Sequence, residues 1–365
     1  MSETVKDGVP FDFESHRKSA VDQFARKREL YEDFAWAVRD ILDDAVKSRG
    51  LKVNEIQCRA KDAKAFGKKA TTPNEQNPEE PKYKNPMSDI TDLAGIRVIT
   101  FFPRTVNEVC QLIQNEFAVI ERVDHTASAA REQRLGYQSV HYLVRLAGNR
   151  NNLSEYKKFD GLTAEIQVRT VLQHAWAEIE HDIRYKSAST IPQAISRRFM
   201  TLAGLLEIAD REFEAIQTED DSLRANARTL IEEGRLNEVE VTSDALSSYL
   251  DARLGPDDRI SDYTYDWMTK ILRTLGFQNL RQVDECIAGL DDDKLSRAVL
   301  GGRRGQVSRF EVLLLASMGE TYLQSHPWIA NAEIAAWYRP IVERQLDKLR
   351  QSGFTVGSYQ PKKTE

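Results

Sequence analysis

The chain has 365 residues, of which 41% are hydrophobic and 30% charged, with a formal net charge of −6 at pH 7. No apolar run approaches the roughly 20 residues that a membrane-spanning helix needs, so we expect no membrane partner. The acidic balance argues against a surface coated for nucleic acid.

The first residues and the cysteines indicate the compartment. Residues Met1–Ser19 are polar and acidic, without the basic tip and apolar block of a signal peptide. The cysteines Cys58, Cys110 and Cys286 are widely spaced and form no CxxC pair, which argues against disulfides and a structural zinc site. We therefore expect a cytoplasmic protein.

The first half of the chain predicts an α+β fold. Apolar residues recur at helical spacing from Tyr31 to Ala45, which predicts one or two amphipathic helices that end at Gly50. A further helix is expected at Val106–Glu116, and another begins near Val171. Five runs have strand character: Val53–Arg59, Ile96–Phe102, Ala118–His125, Ser139–Leu146 and Leu162–Arg169. Together they predict a mixed sheet of about five strands flanked by helices.

The second half loses the strand pattern. Residues Gln193–Glu233 predict a long helix or a helix pair, followed by a short extended link at Glu238–Val241. Thr242 or Ser243 is expected to cap the next helix, and the pattern stays helical up to Gly353. We therefore predict two domains, residues 1–236 and an all-α module at residues 237–365.

Two carboxylates lie at or within two of the predicted strands. Asp92 directly precedes Ile96–Phe102, and Glu165 lies within Leu162–Arg169, so the two can converge across neighbouring strands. Carboxylates of this kind hold Mg²⁺, with water and substrate phosphates as the other ligands. The alternative is an ion pair with Arg97 or Arg169.

Cationic side chains accumulate near these carboxylates. Arg59 and Lys61 alternate on one strand, and Lys69 belongs to a lysine-rich segment expected to be helical. Arginine and lysine side chains suit polyphosphate, and a cationic wall facing two carboxylates suits nucleotide transfer. Tyr137 lies beside Gly136 at the junction between a loop and the Ser139–Leu146 strand, where its ring would stack on a purine or pack on the core. His141 lies on the same strand face and would contact a phosphate or ribose oxygen, or be a core histidine.

Three segments, in order, resemble the synthetase domain of the RelA/SpoT alarmone synthetases: YKNPMSDITDLAGIRVITFF, GYQSVHYLV and LTAEIQVRTVLQHAWAEIEHDIRYK. The resemblance covers about residues 20–215, is closest to the small synthetases, and implies a nucleotidyltransferase-like fold. It also implies that Asp92 is a Mg²⁺ ligand. Glu165 would be a second metal ligand or the base that activates the 3′-hydroxyl of the acceptor.

The same resemblance implies roles for the other site residues. Tyr137 would stack on the acceptor guanine, with His141 and Gln167 close to the acceptor nucleotide. His174 stands where many small synthetases have Asn or Asp near the guanine, which leaves guanine selectivity open. The residues implied to bind ATP are Arg59, Lys61, Lys69 and Arg97.

The implied function is an ATP-dependent pyrophosphokinase that transfers diphosphate from ATP to the 3′-hydroxyl of GDP or GTP and makes (p)ppGpp. One alternative is a toxic synthetase that modifies the 3′ end of tRNA, for which the basic stretch His16–Arg28 and the loop residues Arg131 and Arg134 would bind RNA. Another is an inactive nucleotide-binding regulator. No hydrolase HDxxED motif is present, since His181 and Asp182 lie in a different context. We expect the C-terminal module to mediate homo-oligomerisation or to bind a regulatory partner, and a fused toxin–antitoxin arrangement is one form of this.

Overall fold

The computed structural model describes residues 11–124, 139–186, 192–257, 262–302 and 304–362. The chain divides into two compact units, residues 1–216 and residues 217–365. In the described part of the chain, no helix is both long and apolar enough to cross a membrane. All three cysteines are free thiols, as predicted.

Unit 1 is built on a five-stranded mixed sheet, as the sequence predicted. The strands are β1 (Val53–Ala60), β2 (Ala94–Thr100), β3 (Phe117–Asp124), β4 (Val140–Leu146) and β5 (Ala164–Thr170). Their order across the sheet is β1-β2-β5-β4-β3. The central pair, β2 and β5, is parallel, and the other neighbours are antiparallel.

The central strands separate an apolar face from a polar one. Over the first five residues of β2 and β5, buried and half-buried residues alternate, because successive side chains of a strand point to opposite faces. Ile96, Val98, Ile166 and Val168 are buried in the main core of unit 1. Their neighbours Gly95, Arg97, Glu165 and Gln167 point to the opposite, polar face.

Helices cover the apolar face of the sheet. The N-terminal segment forms one helix, α1 (Phe13–Ser48), where one or two were expected. Asp12 caps its start, and Phe24, Phe34 and Val38 bury its apolar stripe. The other helices of unit 1 are α2 (Ala63–Ala70), α3 (Pro86–Asp89), α4 (Pro103–Glu116), α5 (Gly148–Asn151) and α6 (Val171–Lys186).

A 40-residue helix, α7 (Gln193–Glu232), contains the division between the two units. The predicted boundary lies after residue 236, whereas the structural division falls between residues 216 and 217. The reason is that the last turns of α7 pack into the core of unit 2, where Leu230 is only 8% exposed and Ala227 and Ile231 lie against the same cluster.

Unit 2 is helical, as predicted for the C-terminal module. Its helices are α8 (Ser243–Leu254), α9 (Asp262–Thr274), α10 (Leu280–Ile287), α11 (Asp292–Leu300), α12 (Gln306–Met318), α13 (Glu320–Ser325) and α14 (Ala332–Gln351). Thr242 caps α8 through its hydroxyl, which accepts from the Ala245 N–H at 3.3 Å. Within the predicted extended link Glu238–Val241, Glu238 instead ends a short 3₁₀ helix (Leu236–Glu238), and Glu240 forms an isolated β-bridge with Asn279. The core of this unit is one contiguous apolar cluster.

Candidate active site

A cavity of about 490 Å³ extends from the polar face of β1, β2 and β5 to α1. It contains six of the residues singled out in the sequence, namely Arg59, Lys61, Asp92, Arg97, Glu165 and Gln167. Strand register explains part of this convergence, because Arg59 lies opposite Gly95 and Gly95 lies opposite Glu165. The missing side chain at Gly95 leaves space between the arginine and the carboxylate.

Asp92 lies in the turn before β2 and is held by two lysines. The Lys61 ammonium donates to Oδ2, and Lys69 Nζ lies 3.1 Å from Oδ1. Lys69 can reach the carboxylate because it is in the last turn of α2, which packs on α1 beside the sheet. The predicted alternative, a pair between a carboxylate and Arg97 or Arg169, does not describe Asp92.

The Glu165 carboxylate is bound by one side chain from the neighbouring strand β4 and by another from its own strand β5. His141 Nδ1 lies 2.8 Å from Glu165 Oε1, and Gln167 Nε2 donates to the same oxygen at 3.0 Å. Since a carboxylate only accepts, Nδ1 of His141 carries a proton here. Burial raises the pKa of Glu165, but the bonds from His141 and Gln167 and the charge of Lys69 outweigh burial and bring it to about 2. Glu165 is therefore ionised at neutral pH.

Arg97 is bound on the side of α6. Its Nη1 donates to Glu178 Oε1 at 3.0 Å, and Nη2 of Arg169 donates to the same oxygen at 3.3 Å. Burial lowers the pKa of Arg97, and burial together with the charge of Arg97 lowers the pKa of Arg169 to about 10. The two guanidinium groups thus share one carboxylate.

His174 lies one helical turn before Glu178, with its Nδ1 3.8 Å from Oε1 of that residue. Burial, followed by the charge of Arg169, lowers the pKa of His174. Nδ1 is buried and has no hydrogen-bond partner in the described structure. His174 thus lies beside the arginine pair. Tyr137, Arg131 and Arg134 lie outside the described residues.

Ser139, Trp36, Arg39 and Glu178 are among the residues around the site that were not predicted from the sequence. Ser139 Oγ lies 2.7 Å from His141 Nε2, at the start of β4. Trp36 and Arg39 of α1 line the cavity. Glu178 of α6 does not line it, but it binds Arg97, which does. The only sequence signal for Ser139 was its position two residues from His141. The helical periodicity that identified α1 gives no indication that its exposed face would reach a site on the sheet.

Asp92 and Glu165 could hold a magnesium ion that takes only two of its ligands from the protein. Among the described residues there is no cluster of three or more His, Cys, Asp or Glu side chains placed to hold a metal. Mg²⁺ often binds through only one or two carboxylates, with waters and substrate phosphates completing its octahedron. Asp92 and Glu165, 24% and 19% exposed in their side chains and on one cavity, provide that donor set.

In the basic stretch of α1, Arg17 and Arg28 form ion pairs within their own helix. Arg17 donates to Glu14, and Arg28 donates to Glu32 at 3.1 Å, with all four side chains well exposed. Exposed pairs of this kind are typical of a solvated helix face.

Most of the residues that line the cavity lie in a part of the chain that matches known proteins. Residues 58–190 match the model of the region found in RelA/SpoT proteins. GTP pyrophosphokinase YwaC of Bacillus subtilis (strain 168) is 32% identical over 133 residues, which cover 36% of this chain and 60% of the relative. GTP pyrophosphokinase YjbM of the same organism is 26% identical over 136 residues, 37% of this chain and 61% of the relative. The chain thus spans about three fifths of the length of these relatives.

Among solved structures, the crystal structure of the small alarmone synthetase 1 from Bacillus subtilis aligns with a TM-score of 0.45 and 21% identity, over 55% of this chain and 99% of that one. The family match is independent of this alignment and includes all three motifs named above. The resemblance predicted from those motifs is therefore confirmed for residues 58–190, which match the RelA/SpoT region.

Proposed function

We propose that the protein is a GTP pyrophosphokinase, which transfers the terminal diphosphate of ATP to the 3′-hydroxyl of GDP or GTP and releases AMP and (p)ppGpp. The observation that supports this most directly is that Asp92 and Glu165 line one cavity together with four predicted nucleotide contacts, Arg59, Lys61, Arg97 and Gln167. Two relatives named GTP pyrophosphokinase match the same part of the chain.

The charges of the site suit this reaction. Phosphoryl transfer depends on positioning and on stabilising negative charge, which cationic side chains provide. Arg59 and Arg97 project from the cavity wall, while Lys61 and Lys69 lie on either side of Asp92. We assign these four residues to the ATP phosphates and adenine, as the family resemblance implies.

Asp92 and Glu165 are the residues that would hold Mg²⁺. A bound magnesium ion would offset charge on the transferring group. The lysines that neutralise Asp92 would then turn to the phosphates. With a pKa of about 2, Glu165 is a weak base, which favours a ligand or electrostatic role over proton abstraction.

The acceptor side rests on fewer described residues. His141 and Gln167 both bind Glu165, so a nucleotide ribose placed near Glu165 would lie within their reach. Tyr137 remains the proposed stacking residue, and His174 remains the proposed neighbour of the acceptor base.

The decisive experiment offers three acceptors to the purified protein. The protein is incubated with Mg²⁺ and ATP labelled in its γ-phosphate, together with GDP, GTP or bulk tRNA, and the labelled product is identified. We expect label on GDP or GTP at the 3′ position. Label on tRNA alone would support the toxin alternative, and no label on any acceptor would support the inactive regulator.

Substitutions at the carboxylates test the assignments within the site. Asp92→Asn and Glu165→Gln should each lower the transfer rate about a hundredfold or more, because charge at the transferring group is no longer balanced. Glu108→Gln is the matched control, since Glu108 is exposed on α4. Full activity in either site variant would contradict its assignment.

The remaining predictions concern partners and location. Unit 2 is the part of the chain that we propose for homo-oligomerisation or for a regulatory partner. A cytoplasmic location agrees with the three free thiols.

A further inference from the structure

Glu178 links two strands of the sheet to α6 at the site. It lies two turns into that helix, and its Oε1 accepts from Arg97 Nη1 at 3.0 Å and from Arg169 Nη2 at 3.3 Å. Arg97 is on β2 and Arg169 is on β5, the parallel pair at the centre of the sheet. One carboxylate oxygen therefore connects both central strands to the helix that follows them.

The two arginines need such a counter-ion. Their side chains are only 27% and 6% exposed, so water screens their mutual repulsion poorly. The charge of Arg97 contributes to the lowered pKa of Arg169, as expected for like charges in close proximity. A half-exposed carboxylate between them offsets this repulsion without a large desolvation cost of its own.

The anchor leaves Arg97 in contact with the cavity. Arg97 lines the cavity wall, whereas Glu178 does not. The carboxylate thus holds the guanidinium from the side of α6, away from the space that a nucleotide would occupy. A guanidinium fixed in this way loses less conformational entropy when it binds a phosphate or a base.

We propose that Glu178 is a positioning residue that holds Arg97 in place for the ATP donor by acting as the shared counter-ion of Arg97 and Arg169. The nature of the ligand rests on the function proposed above, but the pairing itself does not. The family resemblance assigns no role to Glu178. Under this proposal, Glu178 is a further determinant of ATP binding.

The opposite role makes the opposite prediction. If Glu178 instead competes with ATP for Arg97, its removal would release the arginine and tighten binding of the nucleotide. The positioning role predicts weaker binding, because Arg97 would move freely and would be repelled by Arg169. The sign of the change therefore separates the two roles.

The test is a double-mutant cycle of Glu178→Gln and Arg97→Met in the full-length protein. Glutamine keeps the size of the side chain and removes its charge. Titration calorimetry with Mg²⁺ and a non-hydrolysable ATP analogue should show about tenfold weaker binding for Glu178→Gln than for the parent. The same substitution in the Arg97→Met background should have no further effect, since Glu178 would have no arginine to position.

Two outcomes of this cycle would overturn the proposal. One is tighter or unchanged binding by Glu178→Gln. The other is an equal loss of affinity in both backgrounds, which would mean that Glu178 acts through the fold rather than through Arg97. Glu207→Gln on α7 is the matched control, because Glu207 is an exposed helical glutamate.

A second measurement, made without nucleotide, separates this proposal from the proposed function. The same four proteins are unfolded thermally at low and at high salt, and the melting temperatures form their own cycle. We expect the two substitutions to be non-additive at low salt and closer to additive at high salt. A parent protein that binds no ATP analogue would contradict the proposed function, whereas additive melting temperatures would contradict the pairing.

Discussion

Glu165 shows how neighbouring groups set the properties of a single residue. Its carboxylate is largely buried, which alone would favour the neutral acid. The bonds from His141 and Gln167 reverse this and keep the carboxylate ionised, with a pKa of about 2 instead of the ordinary 4.5. The charge at this position is therefore constant over the physiological pH range.

This lowered pKa predicts an acid-dependent contribution to stability. A carboxyl whose pKa is lower in the folded state stabilises the fold above its unfolded pKa of 4.5, and loses that contribution as pH falls towards 2. The full contribution is at most about 3 kcal/mol. Urea unfolding of the parent and of Glu165→Gln should give a difference in unfolding free energy that shrinks between pH 5 and pH 3. The exposed control Glu108→Gln should show no such change, and a difference independent of pH would contradict the assigned pKa.

Thr170 joins the end of β5 to α7. Its hydroxyl donates to Asp210 Oδ2 at 2.7 Å, and both residues are at least 95% buried. The same hydroxyl accepts from the Gln173 N–H at 3.1 Å, at the start of α6.

Thr170→Val should therefore lower the free energy of unfolding by about 1–3 kcal/mol, because a buried carboxylate and a buried N–H each lose a partner. Denaturant titration measures this difference. Thr201→Val is a matched control, since its hydroxyl bonds to the Arg197 carbonyl on the exposed face of α7, and its effect should stay within about 0.5 kcal/mol. Equal effects of the two substitutions would mean that the Thr170 bond adds nothing.

At the scale of elements, α2 carries Lys69 to the site through a close contact with α1. Gly67 lies in α2, and a Cβ atom placed there would lie 2.8 Å from Val21 Cγ2 of α1. Phe24 and Phe66 stack between the same helices, with ring centroids 4.7 Å apart. The position of α2, and with it that of Lys69, is therefore set by the packing of α2 against α1.

Gly67→Ala should disturb this fit. Alanine favours a helix by about 1 kcal/mol over glycine, but overpacking costs typically 1–3 kcal/mol, so we expect a net loss of stability. Binding of the ATP analogue should also weaken, because Lys69 shifts with the helix. Adding Val21→Ala should restore both properties in part by removing the obstructing methyl group. A single variant as stable as the parent would show that the helices can adjust without cost.

Much of the fold followed from patterns local in sequence. The predicted ends of each strand lie within two residues of the observed ends, because β-branched and alternating runs are visible in the sequence. The helix α4 began three residues before its predicted start at Val106, since Pro103 suits the first turn of a helix. The motifs also indicated four of the residues that line the cavity, namely Asp92, Arg97, Glu165 and Gln167.

What the sequence could not indicate depended on tertiary placement. The partners of Asp92 were predicted as ATP contacts, but their pairing with the carboxylate depends on how α2 packs beside the sheet. Glu178 has no special spacing from Arg97, which is 81 residues earlier. The roles of the site residues in catalysis stay predictions until the substitutions above are measured.

At the scale of the whole molecule, the two units have separate apolar cores. The last part of α7 belongs with unit 2, since Leu230 packs in its core. A domain boundary chosen at residue 237 would remove these contacts from the C-terminal unit.

This division predicts a difference between two fragments. Residues 217–365 should fold to a more stable unit than residues 237–365, by about 1–3 kcal/mol, because the shorter fragment leaves the groove that receives Leu230 open to water. Thermal or urea unfolding followed by circular dichroism measures both fragments. Leu230→Ala in the longer fragment should reproduce most of the difference. Equal stability of the two fragments would mean that unit 2 begins at residue 237, as the sequence predicted.

The strand order β1-β2-β5-β4-β3 also determines when the residues of the site are brought together during synthesis. β1 pairs with β2, and β3 pairs with β4, so a growing chain can form these two ribbons before β5 has been made. β5 is the last strand in the sequence and enters between them, joining them and bringing Glu165 beside Gly95. Pairings so distant along the chain form late in folding. A nascent or truncated chain that stops before residue 164 therefore has Lys61, Lys69 and Asp92 but lacks Glu165, so the cavity does not yet have both of its carboxylates.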